Sequence, residues 1–289
     1  MTNTLKAAMW MTGAIASFSS MAVAGRELGG DYDTFEIMLY RSVVGVVIVV
    51  SLITLSGGWS RVGRTQIGTH FLRNLAHFTG QNLWFFAVTL IPLAQVFALE
   101  FTTPLWVIVL APLVLGERLT RMRAVAGAMG FVGILIVARP DPSNLNLGIL
   151  TAAASAIFFA FTIMMTKQLT KGNSIATILF YLTTFQLAFG LVAAGYDGDI
   201  ALPSAQAWPL LGLVGLAGLL AHYCLTNALA IAPATVVVPL DFARLPVIAV
   251  VGMLLYSEPL DLLVFVGAAV IFAGNYLNIW SETRKPVSP

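Results

Sequence analysis

Runs of about twenty apolar residues recur along almost the entire chain, separated by short breaks rich in charged residues, glycine or proline. A hydrocarbon layer roughly 30 Å thick needs about 20 apolar residues per helix, so such runs indicate membrane-spanning helices. The composition agrees, because 58% of the residues are hydrophobic, 10% are charged and the mean hydropathy is +0.89. Too little polar surface is left to cover a globule in water. The sequence therefore predicts an all-α integral membrane protein.

The breaks divide the chain into ten predicted transmembrane helices. They lie near residues 4–25, 34–56, 67–89, 92–116, 120–139, 147–167, 174–196, 205–231, 233–257 and 260–280. Residues 282–289 are predicted to form a polar tail. The first run, which follows Lys6 and ends with Ala22–Ala24, imitates a cleavable secretory signal. Its length and its counterpart in the second half of the chain favour a retained helix instead.

The basic residues predict how these helices are oriented. Lys and Arg beside short loops stay preferentially on the cytoplasmic side. With the N-terminus inside, most of the 15 Lys and Arg residues fall on that side, and only Arg26 and Arg139 fall on the other, while Arg41 and Arg244 lie within helices. We therefore expect both termini in the cytoplasm.

The chain also repeats itself. Shifting the sequence by 141 residues pairs Phe18 with Phe159, Arg26 with Lys167, Pro92 with Pro233, Leu99-Glu100-Phe101 with Leu240-Asp241-Phe242, and Glu117 with Glu258. We predict a first five-helix repeat over 1–141 and a second over 142–281. Because five is odd, the second repeat enters the membrane in the opposite sense. Inverted repeats around a central cavity are typical of secondary transporters, which expose one midplane site alternately to each side.

Two motifs carry a family resemblance. Residues 92–120 contain Phe-Thr-Thr-Pro-Leu at 101–105 and Leu-Gly-Glu-Arg-Leu at 115–119, and this region resembles the EamA signature. Residues 241–246 and 257–260 resemble the end of the second half in ten-helix members of the drug/metabolite transporter superfamily. The resemblance implies a cavity enclosed by predicted helices 1–4 and 6–9, with helices 5 and 10 peripheral. In length and layout the chain is most similar to bacterial amino-acid exporters of the YddG type, which implies efflux of amino acids.

Four charged residues inside predicted helices are the main candidates for gating or ion pairing. Arg41 and Glu100 lie at similar depth from the outer surface and could pair, and Asp241 and Arg244 are spaced i,i+3 on one helix. One interpretation is two structural bridges between the halves. The other is a site for a zwitterion, in which Arg binds a carboxylate and Glu or Asp binds an amine. Glu100 or Asp241 could also bind a coupling proton.

Further polar and aromatic residues are candidates to line the cavity. Arg73, His77, Gln81 and Trp84 recur at helical spacing on one face of predicted helix 3, which we expect to face inward. Predicted helix 8 offers His222, Tyr223 and Asn227. Phe158 and Phe161 could stack on an aromatic substrate. The alternative role for each histidine is a hydrogen bond between helices, and for each aromatic residue, contact with lipid.

Prolines and glutamates mark the helices that could move. Pro104 and Pro246 each remove a backbone hydrogen bond, so their helices are candidate hinges. Glu117 and Glu258 occupy equivalent helix ends, where we expect them to bond backbone donors that open the next helix, with a role near a gate as the alternative.

The sequence and its family resemblance together imply a secondary transporter that exports amino acids, including aromatic ones, with broad specificity, by alternating access across a bacterial inner membrane. The alternatives are a carrier for another metabolite or a cationic drug and, from other classes, a channel or an intramembrane enzyme. No ATP-binding loop, catalytic motif, metal motif or cofactor motif is recognised in the sequence. The expected partners are the solute, the lipid bilayer and protons, and the net charge of +2 gives no indication of nucleic acid.

Overall fold

The structure, a computed structural model, describes residues 2–114, 121–138, 146–196, 198–259 and 262–283. Within these ranges all regular elements are helices. They are α1 (Asn3–Leu28), α2 (Thr34–Leu55), α3 (Ile67–Leu90), α4 (Leu93–Glu100), α5 (Thr103–Val114), α6 (Arg121–Ala138), α7 (Leu147–Leu169), α8 (Ile175–Ala194), α9 (Ala207–Ile231), α10 (Ala234–Leu240), α11 (Arg244–Tyr256) and α12 (Leu262–Thr283), with 3-10 segments at Gly58–Arg61 and Asp241–Ala243.

Five of these helices are long and apolar enough to cross a membrane: α1, α2, α7, α8 and α9. Helix α3 has a similar length, but it carries a row of buried polar side chains that lowers its hydropathy. Large apolar side chains such as Val47, Leu52, Val192 and Leu216 remain exposed on the outer surface of the helices. A lipid environment accommodates such a surface, whereas water does not.

Two of the predicted helices are interrupted. The predicted helix 92–116 forms α4 and α5, separated at Phe101 and Thr102, and the predicted helix 233–257 forms α10 and α11, separated by the 3-10 segment Asp241–Ala243. Pro104 cannot donate to the carbonyl of Glu100, and the Thr103 hydroxyl donates to that oxygen instead at 2.6 Å. Both helices were expected to be continuous, and the prolines expected to weaken them, Pro104 and Pro246, lie beside the interruptions.

The principal helix contacts join the two halves of the chain. Helix α1 packs against α9, α3 against α7, α2 against α8, and α6 against α12. Small residues allow close approach, since the contact faces of α1 and α7 bury Ala7, Ala14, Ala156 and Ala160 completely. The core therefore lies between the halves, and a cavity at its centre is lined from both.

Candidate functional site

A central cavity lies between α1, α3, α7 and α9 and the interrupted helices α4/α5 and α10/α11. Its polar lining residues are His77, Gln81, Glu100, Thr103, Thr162, His222, Asp241 and Arg244, and its apolar ones are Met11, Phe18, Met21, Trp84, Phe101, Pro104, Phe159, Ile163 and Leu225. Water-sized molecules can occupy about 70 Å³ of it. Sites for drug-sized ligands measure roughly 300–1,000 Å³, so a larger solute requires the helices to move apart.

The charged groups of the cavity meet where both helices are interrupted. Arg244 at the start of α11 lies 2.6 Å from Glu100 Oε1 at the end of α4 and 2.5 Å from Asp241 Oδ2. The indole Nε1 of Trp84 donates to Glu100 Oε2 at 2.7 Å. Two carboxylates thus face one guanidinium, so the triad Glu100–Arg244–Asp241 carries a net charge of −1 when all three groups are ionised. The contact predicted between Asp241 and Arg244 is confirmed.

The pairing expected between Arg41 and Glu100 is wrong. The cation beside Glu100 is Arg244, whereas Arg41 on α2 is buried away from the central cavity, and its NH1 donates to Met38 Sδ at 3.4 Å. Equal depth in the membrane did not determine the partner, because α4 packs against α11. Depth fixes position along one axis only, and the helix contacts fix the rest.

Aromatic rings surround the guanidinium of Arg244. Its central carbon lies 5.0 Å from the ring centroid of Phe18, 4.7 Å from that of Phe97 and 5.4 Å from that of Phe101. Cations are attracted to such ring faces. Two polar atoms of the triad, Asp241 Oδ1 and Arg244 Nε, have no hydrogen-bond partner among the described residues. One acceptor and one donor of the triad are therefore unsatisfied, and both atoms are shielded from solvent in this arrangement of the helices.

Two histidines connect the halves on the cavity wall. His77 Nε2 on α3 lies 3.1 Å from His222 Nε2 on α9, and the rings are nearly perpendicular. Phe18 lies edge-on to His222. Both histidines are buried, and neither Nδ1 has a partner among the described side chains. Both alternatives considered for these residues are thus present together, since each lines the cavity and each bridges helices.

The inward face predicted for α3 is confirmed. Arg73, His77, Gln81 and Trp84 are at most 2% exposed. His77, Gln81 and Trp84 line the central cavity, whereas Arg73 does not. Arg73 donates to the Thr166 hydroxyl at 3.1 Å and to Asn74 Oδ1 at 2.8 Å.

Four predicted lining residues lie elsewhere. Tyr223 is 39% exposed and packs edge-on against Trp10, and the Asn227 amide donates to the Tyr223 carbonyl at 2.8 Å. Phe158 and Phe161 are also outside the cavity lining. Successive helical residues differ by about 100° around the axis, so a shift of one position changes which face a side chain occupies.

Several lining residues were missed by the sequence analysis. Phe159 on α7 lines the cavity in place of its neighbours. The internal repeat could have predicted this residue, because the 141-residue shift pairs Phe18 with Phe159 and both line the cavity. Met21 and Thr162 obey the same relation. Comparison of equivalent positions in the two repeats would therefore have added these residues to the predicted lining.

Glu258 connects three elements near one end of the helices. Its Oε1 lies 2.5 Å from Arg26 NH1 at the end of α1 and accepts a hydrogen bond at 3.2 Å from the Leu93 N–H that opens α4. The guanidinium of Arg26 also lies 4.4 Å from the ring centroid of Tyr256. Glu258 therefore bonds a backbone donor that opens α4, while residues 260 and 261, where the following helix was expected to begin, lie outside the described residues. Glu117 lies outside the described residues.

The remaining candidates lie around these sites. Pro104 lines the central cavity, and Pro246 is the third residue of α11. Arg41 lines a second, smaller cavity between α2, α8 and α9. In the described part of the chain, no three His, Cys, Asp or Glu side chains converge as metal ligands would.

Comparison with known proteins identifies the family. The EamA-like transporter family model matches residues 5–139 and 146–280. A riboflavin transporter of Vibrio cholerae is 30% identical over 97% of this chain and 95% of its own length. A riboflavin transporter of Brucella anthropi is 30% identical over 83% and 85%. An S-adenosylmethionine uptake transporter of Rickettsia felis is 26% identical over 95% and 92%.

A solved crystal structure has the same fold, with a TM-score of 0.75 and 17% sequence identity over 96% of this chain and 98% of that one. The relatives named above are transporters and not enzymes, and their solutes are a vitamin and a sulfonium metabolite. The expected specific similarity to amino-acid exporters is thus not what these relatives display. The chain belongs to the EamA-like transporter family of the drug/metabolite transporter superfamily, as a membrane-embedded, multi-pass transporter of small solutes.

Proposed function

We propose that this transporter carries a solute with an α-amino-acid group, and that the triad Glu100–Arg244–Asp241 binds that group. The observation that carries the proposal is the pairing of one guanidinium with two carboxylates on the wall of the central cavity. A zwitterion presents one carboxylate and one ammonium group. Arg244 Nε is a free donor for the first and Asp241 Oδ1 a free acceptor for the second.

The surroundings of the triad favour a solute that also contains an aromatic ring or a second cationic centre. Phe18, Phe101, Phe159 and Trp84 line the cavity around the charged groups. Aromatic faces attract cations and stack on planar rings. S-adenosylmethionine, the solute named for the Rickettsia relatives, combines an α-amino-acid group, a sulfonium centre and an adenine ring. It is our first candidate, and free amino acids, including aromatic ones, are the second.

Riboflavin is the competing candidate. Two relatives are named for it, and the aromatic lining suits its flat ring system. Riboflavin has neither a carboxylate nor an ammonium group, so it would leave the charged triad without a direct role in binding. In that case the triad would be a structural bridge between α4 and α11.

The pattern of helix contacts supports alternating access by two inverted repeats, over 1–141 and 142–281, with ten membrane crossings. The 141-residue shift relates α1 to α7 and α3 to α9. Exchanging equivalent helices of the two repeats therefore turns the contact of α1 with α9 into the contact of α7 with α3. The same exchange swaps α2 with α8 and α6 with α12, so these two contacts remain the same pairs. A pseudo-two-fold axis would have this effect. Termini in the cytoplasm of a bacterial cell and residues 282–289 as a tail complete the proposed topology.

The interrupted helices are the proposed moving parts. Glu100 ends α4, and Asp241 and Arg244 flank the break before α11, so bending at Pro104 or Pro246 would change the geometry of the triad. Discontinuous helices at a repeat interface are a common way to couple binding to access. The ends are tied by Arg26 to Glu258 and by Lys167 Nζ to the Leu229 and Ala232 carbonyls. Release of the Arg26–Glu258 contact would open the cavity to one side of the membrane, and release of the Lys167 contacts would open it to the other.

Direction and coupling are further parts of the proposal. Relatives named for uptake give no support to export, and the direction of a carrier follows its solute and ion gradients. We propose proton coupling through Glu100 or Asp241, because a proton and the ammonium group of the solute would compete for the same carboxylate. A channel or an intramembrane enzyme is opposed by the names of the relatives, which are transporters.

Counterflow in proteoliposomes tests the proposal. Vesicles are preloaded with unlabelled S-adenosylmethionine, riboflavin or tryptophan, and entry of the corresponding labelled solute is measured at two pH values. We expect saturable exchange of S-adenosylmethionine, and loss of a charge-assisted hydrogen bond in Arg244→Gln should weaken its apparent affinity about tenfold or more. Arg61→Gln, which removes an exposed arginine, is the matched control.

The outcomes separate the candidates. Exchange of riboflavin alone, with an affinity that Arg244→Gln leaves unchanged, would overturn the amino-acid group and assign the triad a structural role. Exchange of tryptophan alone would select free amino acids. A response to pH that is lost in Glu100→Gln would support proton coupling at that residue. Flux that does not saturate and shows no counterflow would indicate a channel.

A further inference from the structure

We infer that the second cavity, between α2, α8 and α9, is a binding site for a small inorganic anion of the chloride class, held by Arg41. Arg41 is 6% exposed and lines this cavity together with Ser42, Thr183, Gln186 and three glycines. The site is separate from the central cavity and does not depend on which solute the protein carries.

The hydrogen bonds of Arg41 leave most of its guanidinium unused. A guanidinium has five N–H donors, and the one contact of Arg41 among the described residues is from NH1 to the sulfur of Met38 at 3.4 Å, a weak acceptor. Nε and NH2 make no hydrogen bond there. Buried donors without acceptors are costly, so a ligand that accepts hydrogen bonds would be stabilised in this cavity.

The charge of Arg41 is also uncompensated. Among the described residues, the ion pairs join Arg26 to Glu258 and Arg244 to Glu100 and Asp241, and none reaches Arg41. Arg73 on α3 is a second buried cation without a carboxylate partner in that part of the chain. Two unpaired cations inside a hydrocarbon layer are energetically costly, and a bound negative charge would lower that cost. Water would satisfy hydrogen bonds but would leave this charge in place.

The size of the cavity selects the class of anion. Water-sized molecules can occupy about 20 Å³ of it. Because one water needs roughly 10–15 Å³ by this measure, there is room for one or two bodies of that size. This space suits a halide ion better than a larger organic acid. Gln186 Oε1, a lining acceptor without a partner among the described groups, would take a hydrogen bond from a water beside the anion.

Glycines create the space for the guanidinium. A Cβ added at Gly218 on α9 would overlap Nε, NH2 and Cζ of Arg41. Those atoms are the far end of a flexible side chain, so Gly218→Ala would displace the guanidinium without removing its charge or disturbing the backbone. This substitution separates the presence of a cation from its position.

The experiment measures thermal unfolding of the purified protein in detergent while sodium chloride replaces sodium gluconate at constant ionic strength. We expect a rise in Tm that grows with the logarithm of the chloride concentration and reaches roughly 2 to 4 °C at about five times the dissociation constant. Arg41→Gln and Gly218→Ala should abolish the rise, and the exposed-arginine variant Arg61→Gln should retain it. Equilibrium dialysis with radiolabelled chloride should give one ion per wild-type chain and none in Arg41→Gln.

Each alternative result overturns the inference. Absence of a chloride effect in the wild-type protein would mean that the cavity holds water only. An equal effect in Arg41→Gln would place the anion elsewhere. If S-adenosylmethionine or tryptophan in gluconate raises Tm through Arg41 while chloride does not, the negative charge comes from the carboxylate of the solute, and the site is not one for an inorganic ion.

Discussion

His77 and His222 share one hydrogen bond between their Nε2 atoms, 3.1 Å apart, across the contact between the two halves of the chain. Because both atoms are ring nitrogens, one must donate and the other accept. The pair lies on the wall of the central cavity, and each Nδ1 lacks a partner among the described residues. Two residues 145 positions apart thus form a polar contact that depends on the relative position of the halves.

We expect replacement of either histidine by alanine to leave the other as a buried polar group without a partner. Each of His77→Ala and His222→Ala should lower the free energy of unfolding by about 1–3 kcal/mol. The double variant should cost less than the sum by about 0.5 kcal/mol or more. Equilibrium unfolding of the four proteins in detergent measures this coupling. His70→Ala combined with His222→Ala is the control, since buried His70 makes its ring contact with Tyr181 and should be additive with His222.

The indole N–H of Trp84 should contribute to substrate binding by holding Glu100. Trp84→Phe keeps an aromatic ring but removes the 2.7 Å hydrogen bond to the Glu100 carboxylate. A hydrogen bond to a charged group contributes about 1.5–3 kcal/mol, so we expect about a tenfold or larger loss of apparent affinity in counterflow. The control is Trp208→Phe, at a half-exposed tryptophan outside the cavity. Equal losses in the two variants would show that the hydrogen bond is not responsible.

Much of the fold could be predicted from the sequence, because membrane insertion depends on the length and polarity of contiguous segments. The apolar runs correspond to helices, and Pro104 and Pro246 lie beside the observed interruptions. Both features are local. The inward face of α3 was equally predictable, since Arg73, His77, Gln81 and Trp84 recur at helical spacing and polar groups avoid lipid.

The site could be predicted only in part. His77, Trp84, Glu100 and Arg244 were recognised as candidates, but the partner of Glu100 was not, because it depends on which helices pack together. On α9 the predicted cavity-facing side extended one residue too far, so exposed Tyr223 was selected together with buried His222. The spacing of residues along one helix does not show which side of that helix faces the cavity, unless the equivalent positions of the other repeat are also considered.

Glu258 should matter more to stability than Arg26. The Glu258 carboxylate accepts hydrogen bonds from both Arg26 NH1 and the Leu93 N–H. Arg26→Ala removes the first contact and leaves the second, whereas Glu258→Ala removes both. We expect Arg26→Ala to lower the free energy of unfolding by about 0.2–1 kcal/mol, because the pair is partly exposed. Glu258→Ala should cost about 1 kcal/mol more, since a backbone donor loses its acceptor. Thermal unfolding measures both, and an Arg26→Ala loss equal to or larger than that of Glu258→Ala would contradict the geometry.

The contact between α6 and α12 should tolerate no added side chain at Gly133. A Cβ there would lie 2.7 Å from the Gly267 carbonyl oxygen, so the backbones must separate. We expect Gly133→Ala to cost about 1–3 kcal/mol, as overpacking does. Gly130→Ala on the same helix meets an ordinary 3.6 Å contact with Leu105, and it should be neutral or stabilise by about 0.5–1 kcal/mol through reduced backbone freedom. In thermal unfolding, Gly133→Ala should lower Tm, and Gly130→Ala should leave Tm unchanged or raise it.

Neutral variants of the triad Glu100–Arg244–Asp241 should show whether the triad binds the solute or only stabilises the structure. Arg244→Gln alone leaves two carboxylates beside each other in the core, and we expect it to lower the free energy of unfolding by about 3–5 kcal/mol. Combining it with Glu100→Gln and Asp241→Asn removes all three charges. Neutral side chains of similar shape can replace a buried ion pair at little cost, so the triple variant should regain most of that stability.

Transport by the triple variant then decides between the two roles. If the triad binds an α-amino-acid group, the triple variant should be stable but should lose counterflow of S-adenosylmethionine at every concentration tested. If the triad only bridges α4 and α11, restored stability should restore transport as well. Both quantities are measured on the same preparation, so a failure to fold cannot be mistaken for a failure to bind. Stable protein with wild-type counterflow would therefore overturn the binding role of Arg244 while leaving its packing between Glu100 and Asp241 as a structural fact.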